Sequence, residues 1–472
     1  MKTIEKIKKT EAAHETDEVE RYWPQIFAIL VGALSGFTDG VNIAWPSPYI
    51  VVITQDKDNY NISEEQASYF NTFHAVGFLI GCPIFGVLCD KIGRKKTYYS
   101  TAILHILGLL FAAFAKDIYL FYLSRICAGL ANACFFAVFP TYVGEIANPT
   151  VRGSWGNAVA SSMYLGELAI NVIGSYVNVP TASYICLPLP MIFLVLFYAI
   201  PESPYYLIMK GREAEAKKSL IYFTRKENVE KDYIKLKEDV DRQLSESGSW
   251  VDLFKIKSNR RAVLAGTFLR FTQQTSGLGI FCFFTQSVFQ KAGTNIGHQL
   301  ASVIFMAVNM VLNIIVLLFI VHRFSRKKLY IASLASSGIV LYLLGTFFYA
   351  DSHLNVDLSA VRWMPITGMI SYLVCASYGL CVIPSLMMSE LFSASIKGKA
   401  MAFLLIFMSL GNILINTSFY YLIEYLGFHS PFYLYAVANT IATVMSFYII
   451  PETKGKTLEE IQQMLKQKKM KD

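Results

Sequence analysis

Apolar stretches of about 20 residues recur from one end of this chain to the other, and they decide what it can fold into. An α-helix rises about 1.5 Å per residue, so about 20 apolar residues match a hydrocarbon core about 30 Å thick. About twelve such stretches are readable: Trp23–Val52, Ala67–Cys89, Thr97–Ala115, Ile118–Tyr142, Trp155–Val177, Ala182–Ile200, Ala262–Phe289, Gln299–Val321, Leu329–Tyr349, Trp363–Met388, Ala400–Leu426 and Pro431–Ile450. They mix Leu, Ile, Ala, Phe and Gly, without the alternation of a barrel strand. Charged residues make up 16% of the 472 and hydrophobic ones 54%. Soluble domains carry about 25% charge, so a soluble multidomain enzyme is excluded. The expected fold class is an all-α membrane protein of twelve transmembrane helices.

Charge placement sets the expected orientation. Most Lys and Arg fall in the amino tail, Asp90–Lys96, residues 202–261, Arg323–Lys328, Lys397–Lys399 and the carboxyl tail. The intervening loops hold Lys57, Lys116, Lys291 and Arg362. The positive-inside rule then places both termini in the cytoplasm. The charged first 22 residues lack the apolar core of a cleaved signal peptide, so the first span is expected to be a retained anchor. Asn61-Ile62-Ser63 falls in the first outer loop as a glycosylation acceptor. The net charge of +8 is explained by topology and calls for no nucleic acid. All eight cysteines lie in or beside apolar stretches, without metal spacing, and are expected to be small packing residues. No metal or other cofactor is expected.

The hydrophilic stretch 201–261 divides the spans six and six. Its Lys and Glu residues at i,i+3 and i,i+4 spacing predict short helices. The expected organisation is a cytoplasmic tail 1–22, a six-helix bundle 23–200, an intracellular helical linker 201–261, a second six-helix bundle 262–450 and a tail 451–472. The halves echo each other. DKIGRKK after the second span answers HRFSRKK after the eighth; PESP after the sixth answers PETKG after the twelfth. Such internal repeats are how many secondary transporters are built, with the site between the repeats.

DKIGRKK, PTYVGEIANPTVRG, PESPYYL, QQTSG and PETKGKTLEEI, in this order over nearly the whole chain, resemble the sugar porter family of the major facilitator superfamily, nearest its insect facilitated trehalose and hexose transporters. The resemblance implies the major facilitator fold, two six-helix bundles rocking about a central site. It also implies a latch of charges at the cytoplasmic helix ends: Asp90, Arg94, Glu145, Arg152 and Glu202 in one half, Arg323, Arg326, Glu390, Lys397 and Glu452 in the other. Such pairs form when the bundles close on the inside and part when they open. The second set departs from the family at His322, Ser325 and Lys397, so a looser second latch is expected.

Polar stripes inside apolar helices turn away from lipid, which offers no hydrogen-bond partners. Arg270, Gln273, Gln274 and Gly277 fall on one face of the seventh span. The first span carries Ser35, Asp39 and Asn42; the fifth carries Asn157, Tyr164, Glu167 and Asn171; the eighth carries Asn309 and Asn313; the eleventh carries Ser409, Asn412 and Asn416. Amides offer donors and acceptors together, which suits hydroxyls that do both. The candidate substrate-binding residues are Gln273, Gln274, Asn309, Arg270, Glu167, Tyr164 and Asn412. The resemblance gives Gln273, Gln274 and Asn309 the role of binding sugar.

Other family contacts are replaced, by Ala160, Gly279, Phe283, Phe284, Ser385 and Met408-Ser409. Three uses are open for the intramembrane charges. Arg270 pairs with Asp39 or Glu167; or Arg270 binds an anionic solute; or Asp39 or Glu167 carries a coupled proton. His74 and His105 are expected to be packing or interface residues. The expected function is a plasma-membrane carrier, monomeric, moving a hexose, trehalose or similar polyhydroxylated solute. Its alternatives are a porter for an organic ion, with or without a proton, and a non-transporting sugar sensor. No nucleophile–base pair or phosphate loop suggests an enzyme.

Overall fold

The structure, a computed structural model, describes residues 22–245, 248–294, 296–320, 323–354, 358–456 and 458–466. Residues 1–21, residues 467–472, His322 and the side chain of Asn157 lie outside the described residues. Among the described residues, ten helices are long and apolar enough to cross a membrane: Trp23–Gln55, Glu64–Ile92, Arg94–Phe114, Ile118–Ile146, Val179–Tyr198, His298–Ile320, Arg326–His353, Met364–Met388, Ser395–Leu426 and Ser430–Ile449. Pro149–Gly174 and the helix that begins with Lys257–Thr275 bring the set to twelve. These last two are the fifth and seventh spans; the fifth is lowered in hydropathy by its polar face with Glu167, and the seventh by Lys257, Arg260 and Arg261 at its start and by Arg270 and the glutamine pair.

Breaks in the spans follow the backbone chemistry. Proline lacks an N–H and clashes with the preceding turn, which favours a helix break before it; Pro83 and Pro140 nonetheless sit inside continuous helices. The first span breaks at Trp45 before Pro46, and the sixth at Leu187 before Pro188. The seventh stops at Thr275 and resumes as Leu278–Phe283 and Thr285–Ala292. Gly277 sits in that stop at φ +91°, and a Cβ there would lie 2.7 Å from the Tyr435 ring. Glycine alone adopts that backbone without strain. The continuous seventh helix expected from Ala262 to Phe289 is therefore corrected to three pieces, with Gly277 in the stop rather than on the helical face of Arg270. Turns of π-helix end the eighth span, Val316–Ile320, and interrupt the tenth, Ser377–Cys381.

Within the first half, the first span packs on the fifth, and the fourth packs on the second and third. Gly40 and Gly166 set the first contact: a Cβ on Gly40 would fall 2.0 Å from the Met163 carbonyl oxygen, and one on Gly166 2.1 Å from that of Phe37. In the second half, the ninth span packs on the tenth and twelfth, and the seventh on the eleventh. The halves meet where the second span packs on the eleventh and the fifth on the eighth. Residues between the halves form the helices Pro204–Met209, Glu213–Thr224 and Glu230–Ser245 around a small core that includes Tyr206, Leu220 and Val240. Lys217 ties two of them together, at 2.9 Å from Glu213 and 2.7 Å from Glu230. Five cysteines are buried, three (Cys282, Cys375, Cys381) are half-buried, and all eight are free thiols.

Candidate functional site

Side chains from both halves converge where the fifth and eighth spans cross. Asn309 Nδ2 donates to Glu167 Oε2 across the junction at 3.4 Å. Both residues are buried. Asn313 Nδ2 donates to the Asn309 side-chain oxygen at 2.9 Å and to its carbonyl at 2.8 Å. That fills the acceptor side of the Asn309 amide and turns its N–H groups toward Glu167. One turn further on, Asn171 Oδ1 accepts from Ser47 of the first span at 2.8 Å and Ser302 of the eighth at 2.7 Å.

The glutamine pair divides its labour. Gln273 Nε2 donates to the Leu380 carbonyl at 2.9 Å and reaches that of Cys381 at 3.4 Å. A π-helical turn runs through both residues and loosens the normal ladder, which leaves carbonyls for side-chain donors. Gln273 Oε1 accepts from Arg270 Nη1 at 2.8 Å. Gln273 is thus committed within the protein. Gln274 is half-buried, and among the described residues its side-chain amide makes no hydrogen bond. Tyr164 and Asn412 are likewise half-buried, on the fifth and eleventh spans.

A bridge from Arg270 to Asp39 or Glu167 is not formed. Arg270 donates Nε to Met388 Sδ at 2.7 Å and Nη1 to Gln273. The helical spacing i,i+3 brings Gln273 within its reach. Asp39 instead faces inward in the first half. Its Oδ1 accepts from Asn132 Nδ2 at 3.3 Å and lies 3.4 Å from His105 Nε2. Asn42 Nδ2 donates to the Thr38 carbonyl at 2.9 Å and lies 3.1 Å from His105 Nδ1.

At the basic end of the molecule, the charges gather within each half. Arg94 pairs with Asp90 at 3.1 Å and with Glu145 at 2.8 Å. Glu202 accepts the backbone N–H of Arg94 at 3.1 Å and that of Lys95 at 3.0 Å, and Ser203 donates to Glu145. In the second half Arg326 reaches Glu390 at 3.6 Å, Thr453 donates to Glu390 at 2.5 Å, and Glu452 accepts from Ser325 and the backbone N–H of Arg326 and Lys327. Burial pushes the Glu202 carboxyl above the ordinary range, against the pull of the Ser203, Lys95 and Arg94 hydrogen bonds. Burial acts the same way on Glu452, but its hydrogen bonds from Ser325, Lys454, Lys327 and Arg326 win and hold it below that range. Arg323 is exposed and its carbonyl accepts from Lys454 at 2.5 Å; Arg152 is exposed and Lys397 half-buried. The ion pairs described here, Arg94 with Asp90 and Glu145 and Arg326 with Glu390, each join residues of one half.

The opposite end is closed by contacts between the halves. Lys291 pairs with Glu64 at 3.1 Å, Tyr69 and Tyr421 share a hydroxyl–hydroxyl bond of 2.6 Å, and Tyr421 donates to Glu65 at 3.0 Å. Thr72 and Thr417 meet at 3.1 Å. Asn61 is exposed three residues before Glu64, at this end.

Residues 26–465 match the family model described as Sugar (and other) transporter. The chain belongs to this family. It is 30% identical over 462 residues to the facilitated trehalose transporter Tret1 of Drosophila pseudoobscura pseudoobscura, covering 97% of this chain and 53% of that protein. To Tret1 of Aedes aegypti it is 30% identical over 449 residues, covering 94% and 55%. It thus spans about half the length of these relatives. Among solved structures, the proton:xylose symporter XylE bound to 6-bromo-6-deoxy-D-glucose superposes with a TM-score of 0.74 at 21% identity, covering 94% of this chain and 100% of that one. The inward open xylose transporter XylE from E. coli gives 0.75 at 20%, covering 93% and 99%. This likeness shows the fold, the twelve-helix major facilitator architecture of a multi-pass membrane protein.

Three features of the site escaped the sequence. Arg125 is buried in the fourth span, donates to the Asn42 carbonyl at 2.8 Å and lies over the Trp45 ring. The rule that flagged Arg270, a charge within an apolar stretch, would have found it. The partner role of Met388 and the Tyr69–Tyr421–Glu65 chain carry no such signal, since tyrosine and methionine are ordinary in membrane helices.

Proposed function

We propose that this chain is a carrier that moves a sugar, a hexose or trehalose, or a similar polyhydroxylated solute by alternating access and without enzymatic chemistry. The observation that carries the reading is the meeting of Asn309 and Glu167 from opposite halves. A solute held there touches both moving bodies. Gln274, Asn309, Tyr164 and Asn412 supply donors and acceptors for hydroxyls, and Glu167 supplies an acceptor. Gln273 acts through the backbone of the tenth span and through Arg270. The relatives named as facilitated trehalose transporters support a facilitative mode. The Lys and Arg distribution supports an orientation with both termini cytoplasmic and Asn61 outside; the carrier is read as a monomer of the plasma membrane. The division at 23–200, 201–261 and 262–450 makes the rocking bodies and their tether. The charges at the basic end, Asp90, Arg94, Glu145, Arg152 and Glu202 with Arg323, Arg326, Glu390, Lys397 and Glu452, form the inner gate.

Uptake of labelled glucose and trehalose into oocytes expressing the chain tests this. Saturable uptake, unaffected by mild external acidification, is the expected result. Uptake that rises with acidity and is lost in Asp39→Asn or Glu167→Gln would replace the facilitative mode with proton coupling. Sugar binding without any uptake would leave a sensor.

A further inference from the structure

Among the described residues, Arg270 is a buried cation without an anion beside it. Its side chain is 8% exposed. A guanidinium carries five N–H donors, and here one goes to a thioether and one to an amide oxygen. Among the described residues no carboxylate lies within ion-pair distance of it. Arg94, by contrast, is equally hidden and holds two carboxylates. The difference matters because a guanidinium keeps its proton under all physiological conditions. Glu167, across the junction, can shed its charge by taking up a proton; Arg270 has no such escape. The charge is also held in place. Gln273 Oε1 holds Nη1, and Gln273 is itself pinned to the tenth-span carbonyls of Leu380 and Cys381. The guanidinium is therefore fixed one helical turn from Gln274, whose amide is uncommitted.

We propose that Arg270 makes this site selective for a solute that carries a carboxylate beside its hydroxyls, that is, a sugar acid such as a hexuronate. The proposal rests on the carrier reading above and narrows its substrate. The planar fork of a guanidinium matches a carboxylate with two parallel hydrogen bonds. Gln274 remains for the hydroxyls of the ring, beside the Asn309–Glu167 pair. An anionic solute compensates the buried charge while it is bound, so the loaded carrier passes through its occluded state with the charge matched. The empty carrier does not.

The test uses the full chain purified into proteoliposomes, with labelled glucuronate, glucose and trehalose, in the wild type, Arg270→Gln and Arg270→Lys. The wild type is expected to take up glucuronate saturably, with kcat/KM at least about tenfold above that for glucose. Arg270→Gln is expected to lower the glucuronate-to-glucose ratio at least about tenfold, and Arg270→Lys, which keeps the charge but loses the fork, to lower it less. Thermal unfolding of each variant in detergent checks that it is folded. Glucose or trehalose uptake with the ratio unchanged by Arg270→Gln overturns the proposal and leaves the carrier standing. Glucuronate that competes with glucose but is not itself moved also overturns it. No uptake of any of the three by folded wild-type protein overturns the carrier reading itself.

Discussion

Gln273 and Gln274 are neighbours in sequence and differ in state. The first is bonded on both sides of its amide, by Arg270 and by the Leu380 carbonyl, and the second has its amide free. Gln274→Ala is therefore expected to raise the KM for transported solute about tenfold, the effect of losing about 1 to 1.5 kcal/mol of hydrogen bonding. Uptake kinetics at fixed membrane density check this. The residue types of the site were visible in the sequence, because amides and charges in apolar helices must face inward. Their partners were not. Which of Asp39, Glu167 or Gln273 meets Arg270 depends on the side-chain rotamer and on how spans are turned toward one another. No spacing along one chain fixes that rotation. His105 shows the same gap: it reads as a packing residue, yet it lies 3.4 Å from Asp39 in a buried polar chain.

The spans were legible as elements because apolar length alone forces them; their breaks were less so. Pro46 and Pro188 announce the breaks in the first and sixth spans, while the stop at Gly277 depends on Tyr435, which is remote in sequence. Close helix contacts make a sharper prediction. Gly40→Ala would put a methyl 2.0 Å from the Met163 carbonyl oxygen, while Gly153→Ala, on the same fifth span as Met163, meets nothing within 4 Å. Overpacking of this kind costs about 1 to 3 kcal/mol, so Gly40→Ala is expected to lower the unfolding temperature and Gly153→Ala to leave it unchanged. The helix ends at the basic face respond to pH. The Glu452 carboxyl is held below its ordinary range, so its stabilising contribution is present above that range and is lost as pH falls through the folded value. Glu452→Gln should therefore lower the unfolding temperature at neutral pH, and its gap from the wild type should close in acid. Glu202, held above its ordinary range, has the opposite sign: its charged form weighs against the fold at neutral pH, and protonation relieves this.

As a whole, the molecule is fastened across its halves at the end opposite the basic one. Lys291–Glu64 and the Tyr69–Tyr421–Glu65 chain bind the halves together, while the described ion pairs at the basic end, the proposed inner gate, stay within a half. An exposed pair contributes about 0.2 to 1 kcal/mol, enough to shift a two-state balance by up to about fivefold. Lys291→Glu is expected to move the population toward the outward-facing form, and Glu64→Lys in the same chain to restore it; distances between spin labels on the two outer ends read the shift. An unchanged distance distribution would show that the pair does not bias the cycle. The central claim is that one site, built by both halves, is exposed first to one side of the membrane and then to the other. Counterflow measures this directly: proteoliposomes preloaded with unlabelled sugar or sugar acid should take up the labelled solute faster than empty ones, and Gln274→Ala should weaken the effect. Folded protein that binds the solute yet shows no acceleration by preloading would contradict the account.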